Sequence, residues 1–309
     1  MHGGRGRIDV IINTRSGVQD AGAAGRISEY FSSRGIAANV ELVRRPADIA
    51  AAAERAARSD AELVVAGGGD GTIAAVATSL LDTAKPLGVL PLGTFNYFAR
   101  RIGVPPDLDG ALEVIASGGV PGTVSVGEVN GRVFLNNSSI GLYPAILKQR
   151  ETTYRRFGRS QAAAYFSVAF VMMRPPGFLQ LELTVDGTPT ARETPLLFVG
   201  VNPRQMAEFA IPGYECVDDG RLAIYVTRPL SPGQLMRLGV RGFFRGLHGA
   251  SELEVISARD MQVGVRRKRV RVALDGEIVR LRSPLRYRLR ENALRVVGGA
   301  AADAPDGGS

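Results

Sequence analysis

The segment Glu62-Leu63-Val64-Val65-Ala66-Gly67-Gly68-Gly69-Asp70-Gly71-Thr72 decides how this chain is read. A short apolar run reads as a buried strand, stops in three glycines, and gives way at Ile73 to an Ala-rich helical pattern. Strand, glycine loop and helix start together form an anion site. Glycines let main-chain N–H groups approach a phosphate closely, and the helix N-terminus adds partial positive charge. Asp70 inside such a loop makes sense when a divalent cation lies between carboxylate and phosphate. The loop is not a P-loop, because no Gly-Lys-Ser/Thr follows, and its glycines lack the G-x-G-x-x-G spacing. An ordinary glycine-rich turn is the plain alternative.

A second loop of the same kind weakens that alternative. Leu87-Gly88-Val89-Leu90 is another short strand, running into Pro91-Leu92-Gly93-Thr94-Phe95-Asn96-Tyr97-Phe98-Ala99-Arg100. Gly93 permits a tight turn, Thr94 offers a hydroxyl and an N–H, and Asn96 suits a helix cap or polar contact. Two such loops at the carboxyl ends of strands would sit side by side in a doubly wound sheet, at the edge where ligands bind.

Around these loops, strand and helix patterns alternate: strands at 8–13, 37–43, 62–66 and 86–91, and helices at 20–34, 46–58, 72–82, 94–102 and 107–117. That rhythm predicts a parallel sheet covered by helices. After Pro121-Gly122 the chain becomes β-rich and reads as an antiparallel sandwich, interrupted by helices near 144–174 and 231–247. The expected division is an α/β nucleotide-binding domain over 1–122, a β-rich domain over 123–298 and a disordered tail over 299–309. The active site is expected in the cleft between the domains.

GGGDGT followed by PLGTFNYFAR resembles the catalytic domain of the diacylglycerol kinase and sphingosine kinase superfamily, in its soluble bacterial branch. Asn13, Ser16 and Gly17 match that family's Asn-Pro-x-Ser-Gly, with Thr14 departing from it. Asn136-Asn137-Ser138-Ser139-Ile140-Gly141, Asp218-Asp219-Gly220 and Leu274-Asp275-Gly276-Glu277 extend the likeness over residues 7 to 298. The resemblance implies an ATP-dependent lipid kinase with Mg2+, phosphorylating diacylglycerol or a similar lipid alcohol. It implies nucleotide contacts from Asn13, Gly68, Gly69, Asp70, Gly71, Thr72, Gly93, Thr94 and Asn96. It also implies catalytic acidity at Asp275, with Glu277 second, and a structural Mg2+ on the Asp219 carboxylate and the Cys216 and Arg221 carbonyls. The last strand, near 287–298, would return to the first domain. From the residues alone, Asp275-Gly276 reads equally as a hairpin turn. The family's Thr near Val43–Pro46 and its polar residues near Ile73–Val76 are missing here, which touches nucleotide choice.

Composition narrows the class. Of 309 residues 45% are hydrophobic and 22% charged, enough for a packed core and unlike a disordered chain. One cysteine and two histidines exclude a disulfide and a zinc site of the usual kind. The opening residues lack the apolar core of a signal peptide, and no apolar run reaches the ~20 residues needed to span a bilayer. A cytoplasmic protein is expected, with peripheral membrane association open. The net charge of +8 favours an anionic partner. Arg237, Arg241 and Arg245 repeat every four residues beside Phe243 and Phe244, a pattern suited to an anionic membrane surface as well as to a solvated face. No nucleic-acid motif is present, no protein partner is inferred, and a homodimer stays open. A kinase of a soluble hydroxyl substrate and a non-catalytic nucleotide or lipid binder are the competing readings.

Overall fold

The computed structural model describes residues 6–15, 22–157, 171, 177–245 and 250–299. The chain forms two compact units, Met1–Ser125 with Glu291–Ser309, and Val126–Arg290. The sequence reading sets that divide at residue 122.

In the first unit, β1 (Ile8–Asn13), β2 (Ala38–Val43), β3 (Leu63–Gly68) and β4 (Leu87–Pro91) alternate with α1 (Gly22–Ser32), α2 (Pro46–Arg58), α3 (Asp70–Leu80), α4 (Tyr97–Arg101) and α5 (Leu108–Ser117). The strands pair in parallel in the order β2-β1-β3-β4. β1, β3 and β4 are buried along their whole length, which explains the apolar runs of β3 and β4 and leaves β1 apolar except for Asp9, bonded to Asn39 and Ser59, and Asn13 at its end. β2 lies at the edge and alternates polar with apolar residues. The strand order reverses between β1 and β3, so the carboxyl ends of these two strands, at Asn13 and Gly68, open onto the ligand-binding crevice of such sheets.

The second unit is antiparallel. β7 (Asn137–Gly141), β10 (Leu196–Gly200), β11 (Leu222–Thr227), β12 (Leu253–Ala258), β14 (Arg269–Leu274) and β15 (Glu277–Arg282) form a six-stranded sheet in the order β12-β11-β10-β7-β14-β15. Beside it, β8 (Leu179–Val185) pairs with β9 (Thr188–Thr194) and β13 (Asp260–Val265), while the end of β5 (Val120–Val129), which starts in the first unit, pairs with β6 (Arg132–Phe134). The first half of β16 (Leu285–Gly298) pairs with β13. Its far end runs in the first unit, where Val296 pairs in parallel with Leu87 of β4. One apolar cluster draws Ile140, Leu197, Ile224 and Val272 from the six-stranded sheet and Leu183, Met261, Val263 and Leu285 from the other, which makes the unit a sandwich.

The helix expected over 144–174 begins at Leu142 and is described to Phe157 as α6. The rest of that stretch, Val171 apart, and the expected tail beyond Gly299 lie outside the described residues. Pro232–Arg245 is helical, close to the expected span. A helix not foreseen, Pro203–Glu208, is started by Asn202, whose side chain accepts the Gln205 N–H, and by Pro203 at its first position. Among the described residues no helix is long and apolar enough to cross a membrane.

Candidate active site

The two glycine loops meet. Leu92 N–H donates to the Gly68 carbonyl at 3.1 Å. A Cβ placed on Gly93 would lie 2.5 Å from the Gly69 Cα, so the backbones touch where no side chain fits. A Cβ on Gly68 would meet the Thr72 side chain at 2.6 Å. Behind the loop, buried Asn13 at the end of β1 donates through Nδ2 to Thr72 Oγ1 at 2.9 Å and accepts the Arg15 N–H at 3.0 Å. Asn13 and Thr72 thus brace the loop from beneath. Gly69 is the cap residue of α3, and no side chain caps that helix. The N-terminal turn containing Asp70 and Gly71 is therefore suited to a ligand anion, the chemistry a nucleotide phosphate requires. Thr94 is exposed beside Phe95, which is 54% exposed and stacks on Tyr97 at 5.5 Å.

Of the two readings of Asn96, helix cap or polar contact, the structure shows the second, and Asp70 gains a partner. Asn96 does not cap α4. It adopts a left-handed conformation (φ 51°), accepts the Gly93 N–H at 3.0 Å, and donates to the carbonyls of Pro91 and Gly93 at 3.2 and 3.0 Å. Its amide shapes the second loop from within, because a turn this tight leaves main-chain groups only a short side chain can reach. Asp70 also has a partner that sequence did not reveal: its Oδ1 accepts the Phe98 N–H at 3.1 Å. A carboxylate in this loop therefore has a structural task in addition to any cation.

In the second unit, Asp275 and Gly276 both have positive φ (46° and 87°) and connect β14 to β15, with Leu274 opposite Glu277. The Asp-Gly hairpin is thus present, and the strand alternative, with both acids on one side, is set aside. The turn still carries a built feature. Asp275 Oδ2 accepts the Leu135 N–H at 2.7 Å, and Oδ1 accepts the N–H groups of Asn136 and Asn137 at 2.8 and 3.0 Å. Glu277 is exposed. Tyr143 belongs to the same neighbourhood: burial pushes its phenol up, Arg150 draws it back down, and the Asp275 charge adds to the rise. Beneath, Asn136 accepts from Asn202 at 2.7 Å, Asn137 donates to Gln205 at 2.9 Å and Ser138 bonds the Tyr287 hydroxyl at 3.0 Å, all buried. This polar layer was missed, although four polar residues in a row, Asn136 and the first three of buried β7, were its signal.

The third group, Cys216, Asp219 and Arg221, lies around the 3-10 turn Tyr214–Val217. The Cys216 carbonyl accepts the Arg221 N–H at 3.0 Å and Asp219 is exposed. Carboxylate and carbonyl oxygens suit a hard cation, and a carbonyl has a second lone pair. Among the described residues no three His, Cys, Asp or Glu side chains group as a metal site. Arg221 itself pairs with Asp186 at 2.9 Å. Of the expected arginine stripe, Arg237 pairs with Glu252 at 3.2 Å, and the side chains of Arg245, Phe243 and Phe244 lie outside the described residues.

An α/β unit with paired glycine loops, together with an antiparallel sandwich, defines the class, and comparison with known proteins agrees. Residues 7–129 match the family model of the diacylglycerol kinase catalytic domain. Diacylglycerol kinases of Staphylococcus aureus strains JH9 and Newman are each 31% identical to the chain over 199 residues, 62% of this chain and 61% of the relative. The match therefore spans less than two thirds of those relatives. A crystal structure of a diacylglycerol kinase from Bacillus anthracis str. Sterne shares the fold, with a TM-score of 0.76 over 96% of this chain and 98% of that one at 22% identity. The chain thus resembles the diacylglycerol kinase-like superfamily in sequence motifs, family model and fold alike.

Proposed function

We propose that this protein is an ATP-dependent lipid kinase that phosphorylates the hydroxyl of diacylglycerol or a related lipid alcohol at a membrane surface. The observation that carries the reading is the backbone-to-backbone meeting of the two glycine loops at Gly69 and Gly93, beside an uncapped helix start. ATP, when bound, supplies the phosphoryl group. The main chain at Gly69–Thr72 and Gly93–Thr94 holds its phosphates in place, and the positive end of α3 offsets their charge. Asn13 and Thr72 keep that main chain rigid. Asp70 fixes the second loop to the first through Phe98 and is the carboxylate through which Mg2+ would be held. A second, structural Mg2+ would lie on Asp219 with the Cys216 and Arg221 carbonyls.

The acceptor half of the reaction falls to the second unit. Three main-chain donors hold the Asp275 carboxylate in one orientation, as a positioned proton acceptor requires. Glu277 is the competing acid, two residues on. The test is transfer from labelled ATP to a panel of lipid alcohols in mixed micelles. Labelled lipid is the expected product. ATP binding without transfer to any lipid would end the lipid-kinase reading and leave a kinase of a soluble hydroxyl substrate or a nucleotide-binding module.

A further inference from the structure

The Asp275 carboxylate is held by a piece of chain that the strand ladders do not fix. β6 ends at Phe134 and β7 begins at Asn137, so Leu135 and Asn136 form a bend between the two strands. The N–H groups that reach Asp275 come from this bend and the residue after it: Leu135, Asn136 and Asn137. Three bonds to the same bend come from the start of the helix Pro203–Glu208. The Val201 N–H donates to the Asn136 carbonyl at 2.9 Å, Asn202 Nδ2 donates to Asn136 Oδ1 at 2.7 Å, and Gln205 Oε1 accepts from Asn137 Nδ2 at 2.9 Å. Asn202 also accepts the Gln205 N–H at 3.2 Å, so one helical turn sets both side chains.

Stability does not account for this arrangement. Asn136, Asn137, Asn202 and Gln205 are all buried, where polar side chains are costly unless every group is bonded. Here they are not: Asn137 Oδ1 and the Oγ of neighbouring Ser139 are buried without a hydrogen-bond partner among the described residues. A partly satisfied polar network is less stable than an apolar core of the same shape. What it supplies is direction. Amides have a fixed planar geometry, so two of them against the bend set the angle at which its N–H groups meet the carboxylate.

We propose that Asn202 and Gln205 are positioning residues for Asp275, acting through Asn136 and Asn137. The inference rests on the reading of Asp275 as the proton acceptor. Two variants test it. Asn202→Ser keeps a hydroxyl that can cap the helix and is too short to reach Asn136, and Gln205→Met keeps length while removing the acceptor. Amide hydrogen exchange on the full chain, without nucleotide, should show protection at Leu135, Asn136 and Asn137 falling about tenfold more than at Val199 and Ile224, as it should in Asp275→Asn. Transfer from labelled ATP to dioctanoylglycerol in mixed micelles should fall about 10²-fold, the size expected for a displaced reacting group, with the ATP KM unchanged. In the Asp275→Asn background the same two substitutions should cost no further turnover, because they act through that carboxylate. Equal losses in both backgrounds would make the pair merely structural and overturn the proposal, as would wild-type turnover or unchanged protection of the three amides. The exchange measurement needs no turnover. Loss of protection in a chain that transfers phosphate to no lipid would therefore defeat the kinase reading, whereas retained protection in an active kinase would defeat this one alone.

Discussion

The Phe98 main-chain N–H donates to Oδ1 of Asp70 at 3.1 Å, tying the start of α4 to the glycine loop twenty-eight residues earlier in the chain. Losing such a bond at a helix start costs about 1 kcal/mol. Asp70→Ala is therefore expected to lower the melting temperature as well as abolish transfer. Asp70→Asn keeps an oxygen for Phe98 and removes the charge. It should melt like the wild type and still fail to transfer phosphate. Wild-type turnover in Asp70→Asn would reduce Asp70 to a loop anchor.

Thr72→Val removes the acceptor of the buried Asn13 amide, 2.9 Å away, while preserving shape. An unsatisfied buried donor costs about 1–3 kcal/mol. Chemical denaturation should show that loss, and the ATP KM should rise because the loop loses its brace. An unchanged KM in a destabilised variant would confine the pair to folding.

Asp275→Asn tests the proton acceptor. If Asp275 takes the lipid hydroxyl proton, turnover falls about 10²–10⁴-fold with little change in ATP affinity. The structure adds a cost: an amide NH2 would face one of the Leu135, Asn136 and Asn137 donors, so stability should fall by roughly 1–3 kcal/mol as well. Glu277→Gln, at an exposed position, should leave stability unchanged. Turnover measured well below both melting transitions identifies the base, since the larger loss marks it.

Stability should depend on pH through Glu254. The paired Arg192 guanidinium, at 2.9 and 2.8 Å, holds its carboxyl below the ordinary value of 4.5. The unfolded chain therefore takes up the proton first as pH falls. The pair's contribution is complete above the unfolded value and is lost as pH drops through the lower folded one. Both side chains are about a third exposed, at 34% and 35%, which limits the effect to roughly 1 kcal/mol or less. Urea titrations between neutral and acidic pH should show a shallower acid limb in Glu254→Gln, and identical limbs would remove the pair from the balance.

Much of the fold could be read from the chain because its signals are local. Apolar runs gave β1, β3 and β4, since a strand buried on both faces is made largely of apolar residues. The paired loops could be read for the same reason: only glycine permits the approach between Gly69 and Gly93. The helix Pro203–Glu208 and the polar strand Thr188–Thr194 were not foreseen, being short and weakly patterned.

The sequence by itself determined most of the elements and the two glycine-rich loops that follow β3 and β4. Only the tertiary structure decided what the polar residues in them do. Asn96 shapes a turn instead of capping a helix, Asp70 anchors Phe98, and Asp275 holds Leu135 to Asn137 across some 140 residues of chain. The physical reason is common to all of them. Backbone conformation answers to neighbours a few residues away, whereas a hydrogen-bond partner or a compensating charge is supplied by whatever the fold brings within about 3 Å.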